Sequence, residues 1–199
     1  MCAVLDLFLA STSPRRRELL TSAGIRFQLC EPGPEYAAPG MDHYQSEAGV
    51  PMALALERAR RKAHGARAPL AGIPVLGVDT VVDVDGEELG KPLDRAEAER
   101  MQRRLSGRRH EVHTAHVLVA TDGSSCEEVT SSTVLCRTPA EAELQAYLDS
   151  DEWRGKAGAY GIQDQGQAFL RVESGAMDTV IGLHVAAVRR LLAALRAKA

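Results

Sequence analysis

The sequence predicts a mixed α/β fold, in which parallel and antiparallel strands share one sheet. Short apolar runs typical of buried strands alternate along the 199 residues with helical patterns that have one apolar face. The dipeptide Asp85-Gly86 lies between two such runs and is a strong signal for a tight hairpin, which requires antiparallel strands. No repeat or linker divides the chain, so we expect residues 1–199 to form a single domain, with a length that also suits two lobes sharing one core.

The first strand and the first helix are predicted by an apolar run and by the residues after it. Residues 4–9 form the apolar run, which predicts a buried strand. Ser13 can cap the N-terminus of a helix, and Pro14 suits the first helical position. We therefore expect a helix to begin at Pro14, directly after the strand.

The other elements are predicted by the same kinds of pattern. Residues 31–49, rich in proline, glycine and acidic side chains, predict a long loop, and an apolar stripe predicts a helix over residues 51–64. Asp94 and Glu97 form a capping box for the next helix, which Gly107 ends. Further strands are predicted at residues 73–78, 81–84, 87–89, 111–120, 129–137 and 169–172, and further helices at residues 138–149 and 185–199.

The composition excludes several classes of function. The formal net charge is −3, so the protein as a whole is not a binder of nucleic-acid polymers. Aromatic residues make up 4% of the chain, too few for a surface that stacks single-stranded nucleic acid. No apolar run is long enough to span a membrane, and the N-terminus lacks the basic segment of a secretion signal. We therefore expect a cytoplasmic protein in which the four scattered cysteines are free thiols.

The start of the first helix has the composition of a phosphate-binding site. Ser11 and Ser13 carry hydroxyl groups, and Arg15, Arg16 and Arg17 follow within one helical turn. A helix N-terminus favours anions through its dipole and its unpaired N–H groups, and guanidinium groups add paired donors. The alternative is a surface helix with solvated arginines.

Three further segments place a polar side chain beside a strand end or a glycine. Asp79 follows the strand at residues 73–78, where a carboxylate can hold a divalent metal or orient a water, or can simply cap a turn. Lys91 follows a glycine after the hairpin and offers a point charge to a phosphate, unless it is an exposed turn lysine. Gln163 lies in a glycine-rich segment and can read the edge of a base, unless that segment is only a structural hairpin.

Taken together, these segments resemble the Maf-like family of nucleoside triphosphate pyrophosphatases. The matching motifs are Ser11-Thr12-Ser13-Pro14-Arg15-Arg16, Gly77-Val78-Asp79-Thr80, Leu89-Gly90-Lys91-Pro92, Leu105-Ser106-Gly107-Arg108, Lys156-Ala157-Gly158-Ala159-Tyr160-Gly161-Ile162-Gln163 and Val180-Ile181-Gly182-Leu183. They occur in the order found in the family and span nearly the whole chain.

The resemblance implies a fold and an activity. The fold is a strongly curved mixed sheet with two lobes around a deep cleft, as in Maf and inosine triphosphatase proteins, usually as a homodimer. The activity is hydrolysis of a nucleoside triphosphate between its α and β phosphates with Mg²⁺ or Mn²⁺, a house-cleaning reaction in nucleotide metabolism. The Gly-Ile-Gln sequence that ends at Gln163 resembles the subgroup that acts on dTTP and UTP. The alternatives are the same reaction on a modified purine triphosphate such as 7-methyl-GTP, and a non-catalytic nucleotide-binding regulator of cell division.

The resemblance also implies roles for individual residues. Asp79, Lys91 and Arg15 are expected to be catalytic, with Asp79 acting as base or as metal ligand. The family has a Leu-Ala-x-x-Lys-Ala pattern in its second helix, and Arg58 is expected to take the place of that lysine. Glu35 is expected to be a second metal ligand, since it aligns with one of two acidic residues after the family's second strand. The residues expected to bind substrate are Ser11, Ser13, Arg16, Arg58 and Gln163.

Overall fold

The structure is a computed structural model that describes residues 5–34, 50–68, 72–164 and 168–198. Within these ranges the strands are β1 (Leu7–Ala10), β2 (Phe27–Leu29), β3 (Val75–Val84), β4 (Glu87–Leu89), β5 (Arg109–Val119), β6 (Ser125–Cys136) and β7 (Leu170–Ser174). The helices are α1 (Pro14–Ser22), α2 (Val50–His64), α3 (Arg95–Leu105), α4 (Glu141–Asp149), α5 (Met177–Ile181) and α6 (Val185–Lys198), with a short 3₁₀ turn at Ala157–Ala159. None of these helices is both long enough and apolar enough to cross a membrane.

The described strands form one sheet. Its order is β2, β1, β3, β5, β6 and β7, and β4 pairs separately with β3. β1 runs parallel to both β2 and β3, whereas every other pair is antiparallel. The mixed α/β fold predicted from the sequence is therefore confirmed. The parallel pairs join strands connected through helices. Of the four antiparallel pairs, β3–β4 and β5–β6 are hairpins, whereas β3–β5 and β6–β7 are connected through helices.

β3 has a gap in the pairing along one of its edges. β5 pairs with β3 along nearly the whole of the opposite edge. On the gapped edge, β1 pairs with β3 only as far as Gly77, and β4 begins to pair at Val82. The residues between them, 78–81, include Asp79. Asp79 is thus delivered to the point where β1 ends and the chain turns into α1, a kind of position at which open α/β sheets often bind ligands.

The prediction of two separate strands at residues 73–78 and 81–84, with Asp79 at the end of the first, is wrong. Asp79 and Thr80 continue the β3 ladder opposite Ala115 and Thr114 of β5. The strand continues because the polar side chain of Asp79 faces α2, where it meets a cation instead of solvent. The hairpin at Asp85-Gly86 is confirmed, and both of its residues have the positive φ that a tight turn of this kind requires.

Within the described residues, three apolar clusters pack around the sheet. On one face, alanines of α2 pack against β3 and β5; this cluster contains Ala55, Ala59, Ala63, Val81, Ala115 and Val117. On the other face, a first cluster joins β1, α1 and α6 to the beginning of β3, and a second joins α3, α4 and β7 to the end of β3. Because side chains alternate along a strand, residues 76 and 78 serve the first cluster and residues 82 and 84 serve the second.

Candidate active site

A cavity of about 640 Å³ lies at the gap in the pairing of β3. The start of α1, the inner face of α2 and the segment that follows α4 contribute to its walls. It is lined by eight of the nine residues that the sequence marked as site residues: Ser11, Ser13, Arg15, Arg16, Arg58, Asp79, Lys91 and Gln163. The ninth, Glu35, lies outside the described residues. The fold thus gathers segments that are far apart in the chain around one space.

The turn from β1 into α1 forms the floor of this cavity. β1 is fully buried, and α1 begins at Pro14 as predicted. Ser13 is the N-cap residue of α1 as predicted, but its side chain makes no cap hydrogen bond. The backbone N–H of Ser13 donates instead to Ser11 Oγ at 3.2 Å. Ser11 therefore shapes the turn, and the N-terminus of α1 is directed at the cavity.

Arg16 joins three parts of the fold and also lines the cavity. Its side chain is buried, and its Nε donates to the carbonyl oxygen of Gly182 at 2.8 Å. Its two terminal nitrogens donate to Ser11 Oγ at 3.0 Å and to Thr80 Oγ1 at 3.2 Å. These bonds give Arg16 a structural role, because they hold α1, β3 and the α5–α6 connection together. That Arg16 also binds substrate stays a prediction.

Arg15 and Lys156 bring two positive charges to one part of the cavity wall. Burial lowers the pKa of Arg15, an effect that Glu18 partly offsets. Burial also lowers the pKa of Lys156, and the charge of Arg15 lowers it further. Lys156 forms an ion pair with Asp164 across the segment that they delimit. An anion bound beside Arg15 and Lys156 would relieve the repulsion between them, so this wall favours an anionic ligand.

Asp79 forms a buried ion pair with Lys62 of α2. Lys62 Nζ lies 2.5 Å from Asp79 Oδ1, and the side chains of Lys62 and Asp79 are 9% and 5% exposed. Asp79 Oδ2 is also buried and has no hydrogen-bond partner among the described residues. The pair is therefore asymmetric, because one carboxylate oxygen is held by the ammonium group and the other has no partner among the described residues.

Gly77 explains how Lys62 reaches Asp79. A Cβ atom built at Gly77 would lie 2.4 Å from the carbonyl oxygen of Ala59 and 2.6 Å from the backbone nitrogen of Ala63. Only glycine at this position lets α2 approach β3 so closely. The close approach places Lys62, whose neighbours on the helix touch Gly77, directly over Asp79.

Arg58 lies one turn before Lys62 and faces the same cavity. Its guanidinium forms a two-pronged ion pair with the carboxylate of Glu88 on β4, in which Nη2 and Oε2 are 3.1 Å apart. The Arg58 side chain is 12% exposed and that of Glu88 is 26% exposed. The negative charge of Glu88, which the sequence analysis does not predict, thus lies beside Arg58, a residue expected to bind substrate.

The 3₁₀ turn and the residues after it form the far wall of the cavity. Tyr160 is buried, and its hydroxyl is hydrogen-bonded to His110 Nε2 at 2.8 Å. Gln163 is exposed to the cavity at the end of this segment. Tyr160 therefore anchors the segment in the fold, and the Gln163 amide at its end stays accessible. This arrangement is suited to recognition of a flat polar ligand.

Comparison with known proteins identifies the family. The family model described as "Maf-like protein" matches residues 6–195. This chain belongs to the Maf-like family. It is 44% identical over 192 residues to a dTTP/UTP pyrophosphatase of Bordetella parapertussis, an alignment that covers 94% of this chain and 90% of that protein. A dTTP/UTP pyrophosphatase of Thermus thermophilus is 44% identical over 189 residues and is matched over 94% of this chain and 92% of its own length.

One solved structure of a nucleotide pyrophosphatase is similar to this chain only at a low level. The nucleoside-triphosphatase, or dITP/XTP pyrophosphatase, of Mycobacterium abscessus aligns over 97% of both chains with a TM-score of 0.42 and 17% identity. This similarity is too weak to carry an argument about the Maf-like chain.

Lys62 is the site residue that sequence reasoning misses, although a signal for it is present. The sequence analysis aligns residues 55–59 with the last five positions of the family pattern Leu-Ala-x-x-Lys-Ala. In that alignment Arg58 takes the lysine position. The segment Ala59-Arg60-Arg61-Lys62-Ala63 carries the last five positions of that pattern with the lysine intact. The structure places this lysine, not Arg58, on Asp79. Each register matches three of the four specified positions, and the contact of Lys62 with Asp79 selects the one that lies one helical turn later than expected.

Asp79 Oδ2 is the described atom best suited to ligate a metal ion in this Maf-like site. The described residues contain no group of three or more His, Cys, Asp or Glu that could hold one. Mg²⁺ needs no such group, because it often binds one or two carboxylates and completes its shell with water and substrate phosphates. The described part of the cavity thus fits a cation that arrives with a phosphate ligand.

Proposed function

We propose that this protein hydrolyses dTTP and UTP between the α and β phosphates, giving the nucleoside monophosphate and pyrophosphate. The observation that carries the proposal is the Asp79 carboxylate. It lines a cavity that is lined elsewhere by cations and by the N-terminus of α1, and its buried Oδ2 has no hydrogen-bond partner among the described residues. The names of the Bordetella and Thermus relatives support the reaction and the two substrates.

The triphosphate binds at the start of α1. The unpaired N–H groups of the helix and its positive dipole end attract the phosphates, and Arg15 supplies a guanidinium. Lys156, beside Arg15, and Lys91 add further positive charge to the cavity wall. These cations stabilise the negative charge that develops on pyrophosphate as the bond to the bridging oxygen breaks.

Asp79 acts on the attacking water through Oδ2. Lys62 fixes the orientation of the carboxylate through its bond to Oδ1. Oδ2 either accepts a proton from the water or ligates Mg²⁺ or Mn²⁺; Glu35 is the second proposed ligand. A bound divalent ion would supply charge neutralisation for the phosphate oxygens and a lowered pKa for its water.

Gln163 reads the base. Uracil and thymine each present a carbonyl oxygen next to an N–H group, and a glutamine amide has one acceptor and two donors to match them. Lys156 and Asp164, at the two ends of the same segment, add a further donor and a further acceptor to this wall. We also propose that the active protein is a homodimer in the cytoplasm, as the family resemblance implies.

The test is release of pyrophosphate by the purified protein with Mg²⁺ or Mn²⁺ and each of dTTP, UTP, CTP, GTP and 7-methyl-GTP. Turnover concentrated on dTTP and UTP supports the proposal. Turnover concentrated on a purine nucleotide would retain the reaction and reject the substrates. Nucleotide binding without turnover would reject the enzyme and favour a regulator that senses nucleotides.

A further inference from the structure

Gln102 is a buried amide on the inner face of α3. Its side chain is 2% exposed, and the helix positions on the same face are occupied by Ala98, Met101 and Leu105. An amide in such surroundings loses its hydrogen bonds to water and is tolerated only if the protein replaces them. The contacts of Gln102 therefore indicate what the residue is for.

The Gln102 amide donates two hydrogen bonds to the turn that carries the far wall of the cavity. Its Nε2 donates to the carbonyl oxygen of Gly158 at 3.1 Å and to that of Ala159 at 2.8 Å. A primary amide has two N–H groups, so each carbonyl can receive one of them. The Tyr147 hydroxyl adds a third bond, to the carbonyl oxygen of Ala159 at 3.3 Å.

The turn needs these external bonds because its backbone is strained. Gly158 and Ala159 both lie in the left-handed region, with φ of 68° and 58°. Glycine adopts this conformation readily, but alanine does so at a cost, because its Cβ approaches the backbone. The carbonyl groups of these two residues point at α3 and α4, where Gln102 and Tyr147 donate to them.

The turn connects the two ends of the proposed substrate. The backbone N–H of Gly158 donates to the carbonyl oxygen of Gly90 at 3.0 Å, and Gly90 directly precedes Lys91. Gln163 lies four residues after Ala159. A shift of the turn would therefore move the base-reading amide and the Lys91 segment together.

We propose that Gln102 is a positioning residue that sets the separation between Lys91 and Gln163, and thereby makes base recognition and phosphate binding depend on each other. This inference rests on the proposed function of the cavity. Gln102 touches no substrate; it acts through the carbonyl groups of Gly158 and Ala159.

The first experiment compares Gln102→Met with the wild-type protein. Methionine has a similar length and no donor, so the two carbonyl groups lose their partner. We expect the KM for dTTP and UTP to rise by about tenfold, the preference over CTP and GTP to fall by a similar factor, and kcat to change less. Gln102→Glu has the same shape but turns a carboxylate towards the two carbonyl groups, so its KM should rise further than that of Gln102→Met.

Val134→Ala is the matched control. Val134 is fully buried in the same apolar cluster but lies on β6 and makes none of the bonds to the turn. Its substitution should lower the free energy of unfolding without changing KM or base preference. If Gln102→Met keeps wild-type KM and base preference while losing stability as Val134→Ala does, Gln102 is only a structural residue and the proposal is overturned.

The second experiment needs no substrate. Hydrogen exchange of the backbone amides of Gly158 and Ala159 should become faster in Gln102→Met and stay unchanged in Val134→Ala. If the wild-type protein releases no pyrophosphate, the proposed function fails, and this comparison alone decides the role of Gln102 in holding the turn. Equal exchange in Gln102→Met and wild type would overturn that role whether or not the protein is an enzyme.

Discussion

Asp79 and Lys62 depend on each other for burial, and Asp79 Oδ2 has no hydrogen-bond partner among the described residues. Removing one partner of a buried ion pair leaves the other charge without compensation, which typically costs about 3–5 kcal/mol. Removing both partners avoids that cost. This difference makes it possible to separate the chemical role of Asp79 from its structural role.

We expect Asp79→Asn to lower kcat for dTTP by about 10²- to 10⁴-fold, because the amide can neither accept a proton from water nor ligate a cation well. The same substitution should destabilise the fold by leaving the Lys62 ammonium buried without its carboxylate. Pyrophosphate release and urea unfolding measure the two effects.

The double variant Asp79→Asn with Lys62→Met is the control for this prediction. It removes both charges, so stability should return towards the wild-type value while turnover stays lost. Turnover near the wild-type level in folded Asp79→Asn would contradict the role of the carboxylate.

Glu88→Gln should lower the KM for dTTP by roughly fivefold, equivalent to about 1 kcal/mol. The substitution removes a negative charge from the cavity wall, while Arg58 beside it keeps its positive charge. Initial rates at low ionic strength measure the change, which salt should reduce. Glu87→Gln is the matched control, because Glu87 lies on the same strand but pairs with Arg104 outside this cavity. A higher KM in Glu88→Gln would mean that Glu88 assists binding by holding Arg58 in place.

At the scale of the elements, the contact between α2 and β3 is the feature on which the site depends. We expect Gly77→Ala to lower the free energy of unfolding by about 1–3 kcal/mol, because its Cβ would overlap backbone atoms of α2 that cannot move independently. The same displacement should separate Lys62 from Asp79 and reduce kcat. Urea unfolding measures the free energy of unfolding, and pyrophosphate release measures kcat.

Gly90→Ala provides the comparison for Gly77→Ala. No heavy atom of the described residues lies within 4 Å of a Cβ built at Gly90, and its φ lies outside the left-handed region. The added methyl group should therefore leave stability nearly unchanged or raise it slightly. Equal losses in the two variants would show that the effect of Gly77→Ala does not come from the α2 contact.

The elements that can be predicted from the sequence are those with strong local signals. Pro14 marks the start of α1, and Asp85-Gly86 marks the hairpin, because proline and left-handed turn residues restrict the backbone by themselves. From the sequence, β3 is predicted as two strands separated at Asp79, because no nearby residue explains a charged side chain within a buried strand. The explanation is Lys62, which approaches from another element.

The site is predictable as a set of segments but not as a set of contacts. Spacing and family resemblance mark Ser11, Arg16 and Gln163, and all three line the cavity. No local pattern indicates that Arg16 bonds to Gly182, or that Glu88 faces Arg58, because these partners are separated by long stretches of chain. α5 also escapes prediction, since five residues are too few to establish a helical period.

For the whole molecule, two buried histidines predict a loss of stability in acid. Burial lowers the pKa of His110 and of His116 to about 4. The unfolded chain binds these protons near pH 6.5, so between pH 6.5 and 4 it holds more protons than the folded protein. The free energy of unfolding should therefore fall as the pH falls through this window, by about 3 kcal/mol for each histidine.

Urea unfolding at several pH values between 7 and 4.5 measures this slope. His116→Gln should reduce it, because the amide oxygen can accept the backbone N–H of His184, as His116 Nε2 does, without taking up a proton. His64→Gln changes an exposed imidazole at the end of α2 and serves as the control. An unchanged slope in His116→Gln would contradict the assignment of the acid effect to this residue.

The continuity of β3 has a consequence for how the molecule unfolds. β3 supplies Leu76 and Val78 to one apolar cluster and Val82 and Val84 to the other, while β5 supplies Leu118 and Val112 in the same way. Neither cluster can melt without removing two strands from its neighbour, which favours a single all-or-none transition. Fluorescence of Trp153, buried in one cluster, and circular dichroism of all the helices should then give coincident unfolding curves.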